Sequence, residues 1–351
     1  MRGPSSASGK LAPMRAGELS ELEDLDRILE AGRDVLEVRT LCEVVFRGRR
    51  FPTQSICFGE RSPDVPAIGF FGGVHGLERI GSRVLLAFLG SLVARLQWDQ
   101  TLHSQLSHLR LVFVPIVNPA GMWRGTRANA RGVDLMRNSP VQSSERVPFL
   151  CGGQRLSARL PWYRGDRLSP MEPEARALCE VVERELLSRP FSLALDCHSG
   201  FGLVDRIWFP HAHTRRPIDS VAEMHALKAL FDRNYPNHDY VFEPQCRQYV
   251  AHGDLWDHLY LGRPEGRVFL PLTLEMGSWR WIRKSPRQLL SRAGIFNPLA
   301  EHRHQRVLRR HLVWLDFLCR AAASFERWLP DGEERDRHER EGLASWFGDR
   351  R

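Results

Sequence analysis

Hydrophobic positions along the chain follow two kinds of pattern, and these patterns predict the elements of the fold. Short apolar or alternating runs predict strands, whereas apolar residues spaced by about three or four predict helices. The predicted strands are 42–47, 54–58, 67–71, 109–117, 191–197, 206–209, 241–245 and 268–276. The predicted helices are 18–41, 80–96, 172–187, 219–233 and 303–328. Strands and helices that follow one another in this way are typical of an α/β domain, with a mixed, mostly parallel sheet sandwiched by helices.

The two ends of the chain differ from the segment between them. Residues 1–16 are rich in Ser, Gly, Pro and Arg, which predicts a flexible N-terminal arm. Residues 331–351 alternate in charge and predict a frayed, charged C-terminal tail. Because no repeat or linker-like stretch interrupts the rest, residues 17–330 are expected to form one domain.

Composition narrows the classes of protein that need to be considered. The 351 residues are 42% hydrophobic and 26% charged, which is typical of a globular protein rather than a disordered one. No uncharged apolar run approaches the length of a membrane-spanning helix, and no apolar stretch follows the basic residues near the N-terminus, as a secretory signal requires. We therefore expect a cytoplasmic protein without a membrane partner.

The charge pattern and the cysteine content argue against nucleic-acid binding, a disulfide framework and a cysteine-ligated zinc site. The net charge is +8, but the arginines are scattered among acidic residues and form no basic tract, so we expect no nucleic-acid partner. The seven cysteines are odd in number and contain no Cys-x-x-Cys pair. This disfavours a disulfide framework and a thiolate zinc site, and the cysteines are expected to be small buried side chains.

The first candidate for chemistry lies just after the predicted strand 67–71. His75 and Glu78 follow it at a spacing that lets an imidazole and a carboxylate turn toward one metal ion. The pair alone is a weak signal, because His338 and Glu341 repeat the spacing in the charged tail, where we expect no site.

A second strand end strengthens the metal hypothesis. The predicted strand 191–197 runs into His198 and a turn of small residues. Because the carboxyl ends of parallel strands meet at one edge of a sheet, His198 is expected to join His75 and Glu78 as a third ligand. Such a set with one open position predicts a catalytic Zn²⁺ ion, one per chain.

Further segments make the chain resemble the zinc carboxypeptidase family of metallopeptidases. The matching segments are Asn118-Pro119-Ala120-Gly121, the block from Arg127 to Asn138, the helix start from Met171 to Leu178, the spacing of Tyr249, Gly253, Asp257 and Tyr260, and Thr273-Leu274-Glu275. They occur in the family's order over about 66–280. Within that family, these motifs most resemble those of the bacterial branch that contains murein peptide amidases.

The resemblance implies roles around the metal. His75, Glu78 and His198 resemble the zinc ligands of the family. Glu275 would be the general base that takes a proton from water and returns it to the leaving amine. Asp134 would accept the other ring N–H of His75 and fix its tautomer.

The resemblance also implies residues that handle the substrate. Arg127 would stabilise the developing oxyanion, and Arg137 would pair with a substrate carboxylate, with Asn138 beside it. Tyr249 would close over the bound substrate and donate its hydroxyl.

The chain departs from the family pattern beside Arg137. Met136 replaces an asparagine that normally shares the terminal carboxylate with the arginine. A thioether donates no hydrogen bond, and one lost donor costs about 0.5–1.5 kcal/mol, so we expect weaker capture of the carboxylate.

The capping loop leaves the side-chain preference open. Trp256 precedes Asp257 at the position of the family's selecting residue, where a bulky ring favours a small or apolar substrate side chain. Asp254 lies two positions earlier and can attract a cation instead.

Together these residues predict a zinc-dependent peptidase or amidase that hydrolyses a C-terminal or near-C-terminal amide bond. One alternative is an N-acyl amino acid amidohydrolase of the aspartoacylase or succinylglutamate desuccinylase type, although that group usually lacks the Tyr249 loop and the long arginine block. Another is a non-catalytic peptide-binding protein on the same fold. The expected partner is a peptide or an acylated amino acid, and the sequence makes no prediction about oligomeric state.

Overall fold

Eight strands form one mixed sheet at the centre of the protein, and the computed structural model describes residues 19–348. The strands are β1 (Glu37–Phe46), β2 (Arg49–Gly59), β3 (Ala67–Gly72), β4 (Arg110–Val114), β5 (Phe191–Ser199), β6 (Arg206–Phe209), β7 (Val241–Pro244) and β8 (Val268–Met276). They lie in the order β1-β2-β4-β3-β5-β8-β6-β7. The central block β4-β3-β5-β8 is parallel, whereas β1, β2 and β6 pair antiparallel to their inner neighbours. The predicted mixed, mostly parallel sheet is confirmed.

Helices cover both faces of this sheet. Within residues 19–348 they are α1 (Ser20–Ala31), α2 (Arg79–Arg95), α3 (Gln100–Leu106), α4 (Pro119–Arg124), α5 (Pro173–Val182), α6 (Val221–Asn234), α7 (Leu255–Leu261), α8 (Trp279–Lys284), α9 (Arg292–Phe296), α10 (Glu301–Ala323) and α11 (Gly332–Phe347). Neighbouring side chains of β3 point to opposite faces. Phe70 contacts Phe88 of α2 at 5.4 Å between ring centroids, and Phe71 contacts Trp256 of α7 at 5.1 Å. The core therefore has two apolar layers, one on each face of the sheet.

A close approach between α2 and β5 determines where the first turn of that helix lies. A Cβ atom on Gly81 would lie 2.2 Å from the carbonyl oxygen of Cys197, so only glycine fits. This contact brings the start of α2, just after Glu78, against the carboxyl end of β5. The polar residues that follow β3 and β5 are therefore held close together.

The prediction of one helix over 18–41 is wrong in its second half. Helix α1 ends at Ala31, the chain turns at Gly32, and 37–41 belongs to strand β1. This strand pairs with β2 along its length at the edge of the sheet, where its β-branched residues favour an extended backbone.

The charged segment after residue 330 is also more ordered than expected. Helix α11 packs against α6, so the prediction of a frayed tail is wrong for 332–347. Trp346 is only 4% exposed, and its indole N–H donates to the carbonyl of Phe242 at 2.8 Å. A single narrow stripe of buried residues holds this otherwise charged helix in place. The N-terminal arm predicted over 1–16 lies outside the described residues.

Two other observations concern membrane-spanning helices and the state of the cysteines. No single helix within 19–348 is long and apolar enough to cross a membrane, although α2 and α3 meet that test when they are taken together as a bent pair. All seven cysteines are free thiols, and five of them are buried.

Candidate active site

The carboxyl ends of the central strands bring the predicted chemistry to one edge of the sheet. His75 and Glu78 lie in the turn between β3 and α2, and His198 is the penultimate residue of β5. Glu275 on β8 is the register partner of His198. The parallel order of these strands places all four side chains around one cavity of about 750 Å³.

Two imidazoles and one carboxylate face each other at metal-binding distances. The Nδ1 atoms of His75 and His198 are 3.2 Å apart. The carboxylate oxygens of Glu78 lie 2.9 Å from Nδ1 of His75 and 3.2 Å from Nδ1 of His198. All three side chains are buried, and their ligand atoms lie within 4.8 Å of one another. One ion can therefore contact all three.

Each imidazole is fixed from behind by a second carboxylate. Nε2 of His75 lies 3.1 Å from Asp134, as the resemblance implied, and Nε2 of His198 lies 2.6 Å from Asp196. A proton held at each Nε2 by these carboxylates leaves both Nδ1 atoms, which lie on the side of Glu78, available to a metal ion. Because the donor set and its orientation suit Zn²⁺, the residues fit the ion that the sequence predicts. Sequence reasoning missed Asp196, although residues i and i+2 of a strand share one face.

The charges in the cluster support binding of a cation. Burial raises the pKa of the Glu78 carboxyl, but the adjacent His75 and His198 outweigh it and hold this pKa below its usual range. Burial lowers the pKa of His198, but the nearby carboxylates of Asp196 and Glu78 raise it by more. The pKa of His198 therefore lies well above its usual value. The carboxylates thus favour a positive charge at this point, and a metal ion supplies one.

Arg127 lies at the edge of the ligand cluster. Its Nε donates to Asp134 at 2.7 Å and its Nη1 donates to Glu78 at 3.2 Å. The side chain lines the cavity. A positive charge is therefore held in fixed orientation beside the ligands, where an oxyanion stabiliser is needed.

Glu275 has the environment of a proton-transferring group. It is buried at the cavity, and one carboxylate oxygen accepts the backbone N–H of Phe201 at 3.0 Å. Burial and the nearby Glu78 carboxylate raise the pKa of Glu275 to about 8. A carboxyl with a pKa near neutrality can both accept and return a proton.

A second charged group lies in the same cavity. Arg137 is buried, and its Nη2 donates to the hydroxyl of Tyr249 at 3.1 Å. Its Nη1 lies 3.7 Å from Asp254, whose pKa burial and the neighbouring Asp257 raise to about 7. Among the described residues, Nε of Arg137 and Oδ2 of Asp254 have no hydrogen-bond partner. Buried polar atoms without partners at a cavity are suited to charged or polar groups of a substrate.

Asn138, predicted to bind substrate, is instead part of the scaffold. Its amide nitrogen donates to the carbonyl of Arg164 at 2.9 Å, and its oxygen accepts the N–H of Glu172 at 2.6 Å. The side chain does not line the cavity. Both ends of the amide are occupied by distant backbone groups that sequence spacing cannot reveal.

Trp256, the other predicted substrate-binding residue, lies behind the cavity. It is buried, its ring packs on Phe71, and its indole N–H donates to Asp196 at 3.0 Å. Trp256 therefore supports the carboxylate that orients His198. Asp254 lines the cavity in its place, as do Met136 and residues that the sequence did not indicate, such as Trp208 and Gln245.

Comparisons with known proteins agree with this geometry. The family model described as zinc carboxypeptidase matches residues 36–265. Carboxypeptidase D of Anas platyrhynchos is 26% identical over 183 residues, which cover 50% of this chain and 11% of that protein. Carboxypeptidase SOL1 of Arabidopsis thaliana is 23% identical over 247 residues, which cover 67% of this chain and 45% of that protein. The chain thus spans less than half the length of these two relatives.

Solved structures show the same fold. Bovine thrombin-activatable fibrinolysis inhibitor, in complex with tick carboxypeptidase inhibitor, has a TM-score of 0.61 and 19% identity over 89% of this chain and 98% of its own. Carboxypeptidase A of Helicoverpa armigera has a TM-score of 0.62 and 16% identity over 86% of this chain and 72% of its own. Such identities support likeness of fold alone. Because the family model covers more than half of the sequence, this chain belongs to the zinc carboxypeptidase family.

Proposed function

We propose that this protein is a zinc-dependent peptidase that hydrolyses an amide bond at or near the C-terminus of a peptide. The observation that carries the proposal is the meeting, in one cavity, of the ligand set His75, Glu78 and His198 with Glu275 and the buried Arg137. A metal site, a proton carrier and a carboxylate binder are the parts that this reaction needs.

Glu275 carries the proton in the proposed reaction. Zinc, when bound to the three ligands, acts as a Lewis acid and lowers the pKa of water. Glu275 takes a proton from the attacking water and delivers it to the nitrogen of the leaving amine. The position of Glu275 supports both transfers, since its carboxylate lies at the cavity beside the ligand set and one of its oxygens is held by the backbone N–H of Phe201.

Arg127 stabilises the negative charge that develops on the scissile carbonyl oxygen. Asp134 and Glu78 already hold the guanidinium in place, so it needs little reorganisation during the reaction.

Arg137 binds the carboxylate at the end of the substrate. The hydroxyl of Tyr249 occupies one of its nitrogens in the free protein, so binding exchanges this contact for a substrate oxygen and frees Tyr249 to contact the substrate. A bond from a guanidinium to a carboxylate, in which both partners are charged, is stronger than the bond to a neutral hydroxyl that it replaces. Substrates with a free C-terminus are therefore favoured.

Asp254 directs the preference for the substrate's terminal side chain. Asp254 lines the cavity, and its Oδ2 atom is buried beside Arg137 without a hydrogen-bond partner, whereas Trp256 does not line that space. A terminal side chain with an amine or another donor satisfies this oxygen, so we propose that such residues are preferred over purely apolar ones.

The test combines metal content with turnover. Zinc per chain is measured by mass spectrometry in wild type and His75→Ala, and hydrolysis of dipeptides, tripeptides and N-acyl amino acids is measured in wild type and Glu275→Gln. We expect His75→Ala to lose one zinc per chain and Glu275→Gln to lose turnover while it keeps zinc. His108→Ala and Glu265→Gln, which change exposed residues elsewhere, serve as matched controls. The proposal fails if zinc-reconstituted wild type cleaves no peptide, or cleaves N-acyl amino acids alone.

A further inference from the structure

A second group of metal-ligating side chains lies between helices α6 and α11, outside the active-site cavity. It contains His225 of α6 with His338 and Glu341 of α11. The two Nδ1 atoms are 2.8 Å apart, and a carboxylate oxygen of Glu341 lies 3.8 Å from Nδ1 of His225. All three ligand atoms fall within 4.8 Å of one another.

This cluster has the same chemistry as the active-site ligands. Each has two imidazoles that face one another through Nδ1 and one carboxylate, and each takes a histidine and a glutamate from a His-x-x-Glu segment. In helix α11 that spacing places His338 and Glu341 on one face, because residues three apart are neighbours on a helix. The segment from His338 to Glu341, at which the sequence predicts no site, therefore meets a third side chain that can bind a metal, His225.

The packing of the two helices is close enough to make such a site. Gly342 lies against α6, where a Cβ atom would be 2.7 Å from the side chain of Val221 and 3.3 Å from Cβ of His225. The ring of Trp346 also contacts His225, at 5.7 Å between centroids. Because the helix backbones approach at Gly342, short imidazole side chains can reach across the contact.

The surroundings suit a site that is partly open to solvent. The side chain of Glu341 is 53% exposed, whereas that of His225 is 14% exposed and His338 is buried. Nε2 of His338 lies 3.8 Å from a carboxylate oxygen of Glu334 and 3.5 Å from Nη2 of Arg337. Both distances exceed that of an ordinary hydrogen bond, and His338 faces His225 through its Nδ1 atom.

We propose that His225, His338 and Glu341 bind a second Zn²⁺ ion that fastens α11 to α6. Two histidines, one glutamate and a water at the exposed side complete a tetrahedral set. With Zn–N bonds of about 2.0–2.1 Å, the two Nδ1 atoms must separate to about 3.3 Å, a movement of about half an ångström. The exposed Glu341 side chain is free to adjust. This site holds a structural ion and stands apart from the peptidase reaction.

The first experiment isolates the second site in the full-length chain. His75→Ala with His198→Ala removes two active-site ligands, and zinc affinity is then measured by titration against a competing chelator. We expect this double variant to keep one zinc per chain. Adding Glu341→Gln should weaken the remaining zinc affinity by about tenfold or more, since a ligand contributes at least as much as the groups that support it.

Glu339→Gln is the matched control on the same helix. Glu339 is exposed to a similar degree and pairs with Arg335, away from the two histidines. We expect Glu339→Gln to leave zinc affinity unchanged. Equal affinities for the two glutamine variants would overturn the proposal, as would a double variant that binds no zinc. Either result would mean that His225 and His338 form only a hydrogen bond and bind no metal.

A second measurement does not depend on the double variant being well folded. Wild type should contain two zinc ions per chain after reconstitution and Glu341→Gln one, with peptide hydrolysis retained. Zinc should also raise the thermal midpoint of wild type by more than that of Glu341→Gln. Failure of the peptidase proposal would instead appear as absent turnover with the second ion still bound, so the two proposals fail separately.

Discussion

At the scale of single residues, the neighbourhood of Arg137 decides how a terminal carboxylate is held. Met136 lines the cavity beside it and has no hydrogen to donate, and Asp254 brings a competing carboxylate to 3.7 Å. Arg137 therefore has no second hydrogen-bond donor beside it, and the carboxylate of Asp254 competes with the substrate for its guanidinium. Carboxylate binding is therefore weaker than a guanidinium with a second donor beside it and no competing carboxylate would give.

Met136→Asn is expected to strengthen binding of substrates with a free C-terminus. The amide adds a donor to the carboxylate, so KM should fall by about 2- to 10-fold, with kcat little changed. Steady-state kinetics on one peptide and its C-terminally amidated form checks this. An equal change for both forms would show that the new amide acts elsewhere.

Asp254 predicts a pH dependence of KM that differs between substrates. Its pKa of about 7, raised by burial and Asp257, means that the side chain gains a negative charge as the pH rises from 6 to 8. This charge competes for Arg137, so KM for a peptide ending in alanine should rise above pH 7. For a peptide ending in lysine it should stay level or fall, because the ammonium pairs with the carboxylate.

The control for this prediction is Asp254→Asn, which removes the titrating group and keeps its shape. The variant should show flat and similar KM profiles for the two peptides between pH 6 and 8. Parallel profiles in wild type would contradict the role given to Asp254.

Residues at strand ends could be predicted from the sequence, whereas residues placed by loops could not. His75 and His198 follow apolar strands, and parallel strands end at a common edge, so their meeting follows from the fold class. Glu275, Arg127 and Tyr249 needed the family resemblance, because spacing alone gives no role to one glutamate, arginine or tyrosine. The partners of Asn138 and Trp256 come from distant segments, and no local pattern shows which way those side chains point.

At the scale of elements, helix α11 shows that a narrow buried face can hold a segment that is otherwise charged. Its buried residues His338, Gly342 and Trp346 recur at every fourth position, while most of the others are polar and exposed. A stripe this narrow is hard to recognise in a sequence dense in charge, and for that reason the sequence predicts a frayed tail. The first half of the edge strand β1, residues 37–41, reads as helix for a related reason, since its side chains are at least partly exposed and its apolar pattern is weak. The second half lies within the predicted strand 42–47.

Trp346→Ala is expected to destabilise the protein by about 3–5 kcal/mol, the usual cost of removing a buried tryptophan. The change removes ring contacts with Phe209 and Phe242 and the hydrogen bond to the Phe242 carbonyl. Urea unfolding measures the loss. Trp98→Ala, which removes a ring that is 72% exposed, should change stability by less than about 0.5 kcal/mol. Similar values for the two variants would mean that α11 contributes little to the folded state.

At the scale of the whole molecule, one buried histidine links global stability to pH. His311 of α10 is fully buried, with Nδ1 at 2.8 Å from the hydroxyl of Tyr240 and Nε2 at 3.9 Å from Asp205. Burial lowers its pKa to about 4, with Asp205 opposing and Arg310 and Arg280 adding to the shift. In the unfolded chain the same group takes a proton near pH 6.5. The folded state therefore binds this proton less readily than the unfolded state.

Above pH 6.5 the group is neutral in both states and the shift has no effect, whereas the folded state becomes progressively less stable as the pH falls from 6.5 toward 4. His311 should reduce the free energy of unfolding by up to about 3 kcal/mol across that interval. His311→Gln removes the titration, so the variant should lose less stability than wild type between pH 7 and 4.5. Urea unfolding at a series of pH values gives both slopes, and parallel slopes would show that His311 is not the group responsible.

The contact between Trp256 and Asp196 has a consequence for any attempt to redesign this enzyme. Position 256 is where a protein engineer would exchange residues to redirect selectivity, yet here it supports the carboxylate that orients His198. Trp256→Phe keeps an aromatic ring against Phe71 but removes the hydrogen bond. We expect zinc affinity to fall by about tenfold or more, with the preference among terminal residues unchanged. Variants at position 256 would therefore differ in how well they retain zinc and not in which substrate they prefer. Substitution of Asp254 is the better way to change substrate preference.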